Sequence, residues 1–261
     1  MDISLKGKEA LICGSTQGIG LAIAIELANC GASCTLFARN EEALKEAVDS
    51  LDTTAGQKHG YLVADFSNPD VVLKAVSEHL TKKPIHILIN NSGGPKSGAI
   101  TEATSDDFIN AFQQHLVNNH MLVQSALPSM KAAGYGRIIN IISTSVRIPL
   151  KNLGVSNTIR AAVASWSKSL SNEIGRFGIT VNSVLPGFTD TKRLEEIIEI
   201  TASQQSKDKK MVIAEMHQQI PLQRFGEPKE IAAVVAFLAS PAASYVHGVS
   251  IPVDGGRTGT I

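Results

Sequence analysis

Two rhythms of apolar and polar positions alternate along this chain. Short apolar runs recur at Ala10–Ile12, Ser33–Phe37, Tyr61–Ala64, Ile85–Ile89, Arg137–Ile142, Ile179–Leu185 and Val249–Val253. Runs of that length, rich in Ile, Val and Leu and bounded by turn residues, predict buried strands. Between them, apolar residues return every three or four positions: Leu44, Val48 and Leu51; Val72, Val76 and Leu80; Ile231, Val234, Val235 and Leu238. That spacing predicts helices with one face on a core. Ile19, Leu21, Ile23, Ile25 and Leu27 are dense enough for a helix buried on most of its surface, and longer helical stretches run from about Ser105 to Met130 and from about Ser156 to Phe177. Each parallel strand needs a crossover, so this alternation predicts an α/β fold: a doubly wound, parallel, seven-stranded sheet between two helical layers. Such sheets bind ligands outside the carboxyl ends of their strands, which directs attention to the loops that follow them.

Composition narrows the class. At 261 residues and 43% hydrophobic content the chain can bury one sizeable core, so a single domain over residues 1–261 is expected. Lys+Arg and Asp+Glu balance at 24 each, which argues for neither nucleic acid nor an anionic membrane as partner. No apolar run approaches a membrane span and the first residues show no signal-peptide pattern, so a cytoplasmic protein is expected. Cys13, Cys30 and Cys34 sit in apolar surroundings without metal-like spacing and are read as reduced packing residues. The seven histidines form no ligand cluster, so no catalytic metal is expected.

The candidate chemistry begins between the first strand and the first helix, at Cys13-Gly14-Ser15-Thr16-Gln17-Gly18-Ile19-Gly20. Gly14 permits a tight turn, Gly18 a close approach of a pyrophosphate, and Gly20 close packing of helix on sheet. The helix N-terminus behind them suits phosphate. The spacing is G-x-x-x-G-x-G, not the usual G-x-G-x-x-G. After the second strand, Ala38 leaves room where an NAD-selective site wants a carboxylate, and Arg39 can pair with a 2′-phosphate. This favours NADP(H) over NAD(H), the plain alternative being a solvated arginine.

The glycine turn resembles that of the short-chain dehydrogenase/reductase family, and further segments carry the resemblance through to about Gly256. Asp65-Phe66 resembles the segment that meets the adenine ring. Asn90-Asn91-Ser92-Gly93-Gly94 is similar to the family's Asn-Asn-Ala-Gly motif, although ordinary turn chemistry also accounts for such residues. Pro186-Gly187-Phe188-Thr189-Asp190-Thr191 resembles the segment that contacts the nicotinamide carboxamide. Pro221–Pro228 and Val253-Asp254-Gly255-Gly256 match the β-ketoacyl carrier-protein reductase branch. The resemblance implies a Rossmann-type three-layer sandwich that binds NADP(H) through Gly14, Ser15, Thr16, Gln17, Gly18, Ile19, Gly20, Arg39, Asp65, Phe66, Asn91, Ser92, Gly93, Arg160, Pro186, Gly187, Thr189 and Thr191.

The catalytic segment departs from the family's Asn–Ser–Tyr–Lys set. Ser143 stands at the Ser position, but thirteen residues on, in place of Tyr-x-x-x-Lys, the chain reads Ser156-Asn157-Thr158-Ile159-Arg160. Ala161-Ala162-Val163 fixes that register, and the Asn position falls on His115. The Ser156 hydroxyl is a far weaker acid than a phenol, and Arg160 can hold ribose hydroxyls and supply charge but cannot exchange protons. The candidate catalytic residues are therefore Ser143, Ser156, Arg160 and His115, with His115 or a water giving the proton; an imidazole at its ordinary pKa of ~6.5 suits that task. Alternatively His115 is a packing residue at a subunit contact. Gly154-Val155-Ser156-Asn157-Thr158 nearly matches a hydrolase elbow, but the last glycine is missing and a loop with Pro149 precedes it.

The expected function is hydride transfer between NADP(H) and a small carbonyl or alcohol substrate. A cofactor-binding sensor or oligomer subunit without turnover, and lyase or isomerase chemistry on the same scaffold, are the alternatives. The polar excursion from Lys192 to Ile220 reads as a lid, or as a solvated pair of helices. Lys96, Arg147 and Lys151 are expected at the cleft mouth, where they would suit an acidic substrate. By the same resemblance the chain forms a homotetramer or a homodimer.

Overall fold

The computed structural model describes residues 1–259; Thr260 and Ile261, the last two residues of the expected domain, lie outside the described residues. Seven parallel strands form one sheet in the order β3-β2-β1-β4-β5-β6-β7. They are β1 (Glu9–Cys13), β2 (Ser33–Ala38), β3 (Gly60–Val63), β4 (Ile87–Asn90), β5 (Gly136–Ile141), β6 (Ile179–Pro186) and β7 (Ser250–Val253). Every residue of β4, β5 and β6 is buried, because helices cover both faces of the sheet, and this is why these segments read as unbroken apolar runs. The edge strands β3 and β7 are only part-buried.

The helices are α1 (Gly18–Asn29), α2 (Glu41–Asp49), α3 (Pro69–Leu80), α4 (Ser105–Phe112), α5 (Asn118–Ala133), α6 (Gly154–Ile174), α7 (Lys192–Gln205), α8 (Lys209–Gln218) and α9 (Pro228–Ala239). On one face α1, α2 and α9 pack Ile23, Leu27, Leu44 and Val235 against the sheet. On the other, α3, α5 and α6 supply Val72, Val76, Leu122, Met130 and Ile174. Local chemistry sets the boundaries: Asn40 and Asn68 cap α2 and α3, Pro69 occupies the first turn of α3, and Thr104 with Asp107 forms a capping box on α4.

Two features differ from the sequence pattern. The stretch expected as one helix from Ser105 contains a π-helical turn at Gln113–Val117, where His115 is buried. Such turns cannot be read from an apolar period, since they add a residue without breaking the helix. The excursion after β6 folds as α7 and α8, with a small core of its own from Leu194, Ile198, Val212 and Met216. All three cysteines are free, and burial drives the Cys13 thiol up to about 12 and the Cys34 thiol higher still. No helix among the described residues is long and apolar enough to cross a membrane, and none of their His, Cys, Asp or Glu groups is placed to hold a metal.

Candidate active site

The strand order reverses between β1 and β4, and a cleft of about 1750 Å³ opens above the carboxyl ends of the strands there. The turn from β1 to α1 forms its floor. Gly14 has φ +59°, and a Cβ on it would stand 2.6 Å from the Asn91 carbonyl oxygen. A Cβ on Gly20 would stand 2.0 Å from the Gly14 oxygen, so the first turn of α1 sits directly on the loop. Asn91 locks this contact by donating from Nδ2 to the carbonyls of Cys13 (3.2 Å) and Gly14 (3.1 Å). Gly18, with φ +55°, faces the Thr191 methyl across the cleft. Gln17 gives α1 no side-chain cap, which leaves the first N–H groups of the helix open to the cleft.

Every predicted site residue lines this cleft except Ser15 and His115. Ser15 is fully buried, and its Oγ accepts a hydrogen bond from the Phe37 N–H (3.0 Å). It therefore ties the glycine turn to β2 and turns away from the cleft, which corrects its expected place among the cofactor contacts. Arg39 is exposed at the end of β2 and makes no hydrogen bond among the described residues. Beside it, Asp65 accepts from the Ser67 N–H (2.9 Å); that bond, with the Ser67 hydroxyl and then the Arg39 charge, holds the carboxyl below its ordinary range. Thr191 caps α7 at the opposite wall. These features fit a phosphorylated dinucleotide: a cradle that a Cβ would fill, open helix N–H groups, and an unpaired cation at the strand end where a 2′-substituent would lie.

Beyond β5 the cleft is lined by Ser143, Ser156 and Arg160. The Ser143 Oγ accepts from the Ser145 N–H (3.1 Å), which leaves its own proton free to donate. Arg160 reaches back along α6, giving Nη1 to the carbonyls of Ile141 (3.3 Å) and Ile142 (3.0 Å) and Nε to Ser156 Oγ (3.4 Å). Burial, and then the charge of Arg193, pulls its guanidinium down to about 10, still a cation at neutral pH. Below them lies a buried polar chain: Asn90 Nδ2 donates to Asn140 Oδ1 (2.8 Å), and Asn140 Nδ2 donates to Ser167 Oγ (3.0 Å).

His115 is 4% exposed and meets the Ser92 hydroxyl of the cleft lining, 2.7 Å from its Nδ1. Burial, followed by the charge of Arg160, pushes its pKa down to about 3. At neutral pH the ring is thus uncharged, which corrects the expectation of an imidazole near its ordinary pKa. No tyrosine lines the cleft among the described residues: Tyr61 bonds Glu41, Tyr135 bonds the Ala239 carbonyl, and Tyr245 is fully exposed. Of the three cations expected at the mouth only Lys151 lines it; Arg147 instead donates to the Ser250 carbonyl. Sequence reasoning missed Arg193, whose Nη2 crosses the cleft to the Pro95 carbonyl (2.8 Å). Its one signal was a second cation just past the Thr191 segment.

Comparison with known proteins places this geometry. A family model described as enoyl-(acyl carrier protein) reductase matches residues 14–258. A 3-oxoacyl-[acyl-carrier-protein] reductase of Pseudomonas aeruginosa is 35% identical, over 97% of this chain and 98% of its own. A tropinone reductase homologue of Arabidopsis thaliana is 32% identical, over 98% of this chain and 77% of its own. Among solved structures, the L-sorbose reductase of Gluconobacter frateurii, complexed with NADPH and L-sorbose, superposes with a TM-score of 0.93 at 31% identity over the whole of both chains. An NADPH-dependent reductase involved in bacilysin biosynthesis superposes with a TM-score of 0.92 at 29% identity, over 97% of this chain and 99% of its own. With its glycine turn, its sheet order and these relatives in agreement, the chain belongs to the short-chain dehydrogenase/reductase family.

Proposed function

We propose that this chain is an NADP(H)-dependent oxidoreductase that interconverts a small carbonyl compound, of the 3-oxoacyl or related type, and its alcohol. The observation that carries the reading is the convergence of Ser143, Ser156 and Arg160 on the same cleft as the glycine turn. Ala38 and the unpaired Arg39 support NADP(H) over NAD(H). Bound NADP(H) supplies or accepts the hydride. The chain's own residues then hold the carbonyl and the charge that develops on its oxygen. Ser143 donates its free proton to that oxygen, and Ser156, already accepting from Arg160 Nε, directs its own proton outward. Arg160 adds a fixed positive charge, which counts for more in a half-buried site than in water. Arginine keeps its proton and His115 is neutral, so the substrate proton comes from water at the cleft mouth. A neighbouring cavity of about 490 Å³, between Ile100, Val146 and Leu150, offers room for an apolar substituent.

A second reading, a cofactor-binding protein without turnover, is favoured by the absence of any phenol from the cleft lining among the described residues. The exposed Ile109 and Phe112 of α4 support assembly as a homotetramer or dimer in either case. The test is NADPH oxidation, followed by absorbance, against 3-oxoacyl thioesters, ketones and keto-sugars, with a Ser156→Tyr/Arg160→Lys variant alongside. Turnover by the natural chain that is lost in Ser143→Ala supports the rewired enzyme. Turnover appearing only in the double variant supports the second reading.

A further inference from the structure

We propose that Arg160 and Arg193 together recognise an anionic group on the substrate, a carboxylate or phosphate close to the reacting carbonyl. This deepens the reductase reading and rests on it for the identity of the cleft.

Two guanidinium groups are brought to one place from opposite walls, Arg160 from α6 and Arg193 from the first turn of α7. Both tips lie beside Gly94: a Cβ built there would stand 3.4 Å from Arg160 Nη2 and 4.0 Å from Arg193 Nη2. Neither is fully spent. Arg160 uses Nε and Nη1 on oxygens of the chain and leaves Nη2 unbonded among the described residues. It pairs with no carboxylate there; its partners are two carbonyls and the Ser156 hydroxyl, all uncharged. Arg193 holds the Pro95 carbonyl with Nη2 and the Glu196 carboxylate with Nη1 (3.2 Å), an exposed pair that water screens. The acids on the cleft wall, Glu46, Asp65 and Asp190, bond to neither arginine. Two cations this close repel one another, and an oxyanion between them removes that repulsion while offering both forks an acceptor. Gly94, lacking a side chain, leaves the space open, and Lys151 on the same cleft adds to the positive field.

The rival source of an anion is the pyrophosphate of the cofactor, and binding measurements separate the two without requiring turnover. Calorimetry on NADP⁺-loaded protein would compare acetoacetate with ethyl acetoacetate, and dihydroxyacetone phosphate with dihydroxyacetone, for the natural chain, Arg193→Gln, Arg193→Lys and Gly94→Ala. The natural chain is expected to bind the charged member of at least one pair about tenfold more tightly. Arg193→Gln should abolish that preference, Arg193→Lys should keep part of it, and Gly94→Ala should weaken the charged member. NADPH affinity by fluorescence should stay within about twofold throughout. Equal affinity for both members of both pairs overturns the proposal, as does a loss in Arg193→Gln that falls on NADPH or equally on charged and neutral ligands. If the natural chain shows the preference but oxidises no NADPH with any substrate, the reductase reading fails and the anion site stands.

Discussion

At the β1–α1 end of the cleft the backbone does the positioning; at the β5–α6 end, side chains do. Gly14 and Gly20 bring main chain against main chain, and Asn91 fastens the contact through two carbonyls. Across the cleft the pattern is the opposite. Ser143, Ser156, Arg160 and Arg193 stand on two helices and a loop, and side-chain atoms make the contacts: Arg160 to Ser156 and the Ile141 and Ile142 carbonyls, Arg193 to the Pro95 carbonyl. Backbone geometry tolerates almost no change, whereas a side-chain set can be exchanged on an intact frame. Here the β1–α1 end carries the glycine turn, and the β5–α6 end carries Ser143, Ser156 and Arg160.

The sharpest break in that contrast is Gly20→Val. With a Cβ forced to 2.0 Å from the Gly14 oxygen, the turn must open, at a cost of about 3 kcal/mol or more. Thermal unfolding and NADPH fluorescence titration should show a lowered Tm and lost binding together. On the other side, His115 predicts a pH dependence. Its folded pKa of about 3 lies below the ordinary 6.5, so between those values the unfolded chain binds a proton that the folded chain refuses. Stability is therefore full above about pH 6.5 and falls as the pH drops toward 3, by an amount on the order of a few kcal/mol. His79 and His86, also depressed by burial, add to the slope. Urea unfolding of His115→Asn should show a shallower fall over that window than the natural chain, and an equal slope would place the titration elsewhere.

Smaller effects sharpen the comparison. Arg39→Ala should weaken NADPH by about tenfold while leaving NADH unchanged, because only the phosphate engages that guanidinium. Two fluorescence titrations decide it, and equal losses for both cofactors would remove Arg39 from the discrimination. Ser15→Ala should leave NADPH affinity untouched and lower stability by about 1 kcal/mol, since it removes the hydrogen bond that the Phe37 N–H donates to the hydroxyl. A change in affinity there would return Ser15 to the cofactor site.

Much of this was legible in one dimension. The two hydrophobic periods determined the strands, the helices and their alternation, because burial on both faces demands apolar runs that no surface segment needs. The glycine spacing determined the turn, because a positive φ and main-chain contact leave few other residues possible. Ser156 and Arg160 were picked out by their register with Ala161-Ala162-Val163, and both line the cleft. What only the tertiary structure decided is which side chains meet. Ser15 and Thr16 are neighbours in the chain, yet one faces β2 and the other the cleft. The burial of His115 in the π turn sets its charge through desolvation, which no single residue type encodes. Arg160 and Arg193 lie 33 positions apart and converge beside Gly94 only because α6 and α7 flank one cleft. Periodicity records how much of a residue is buried; orientation and neighbour are settled by packing across the sheet, between segments that have no local knowledge of each other.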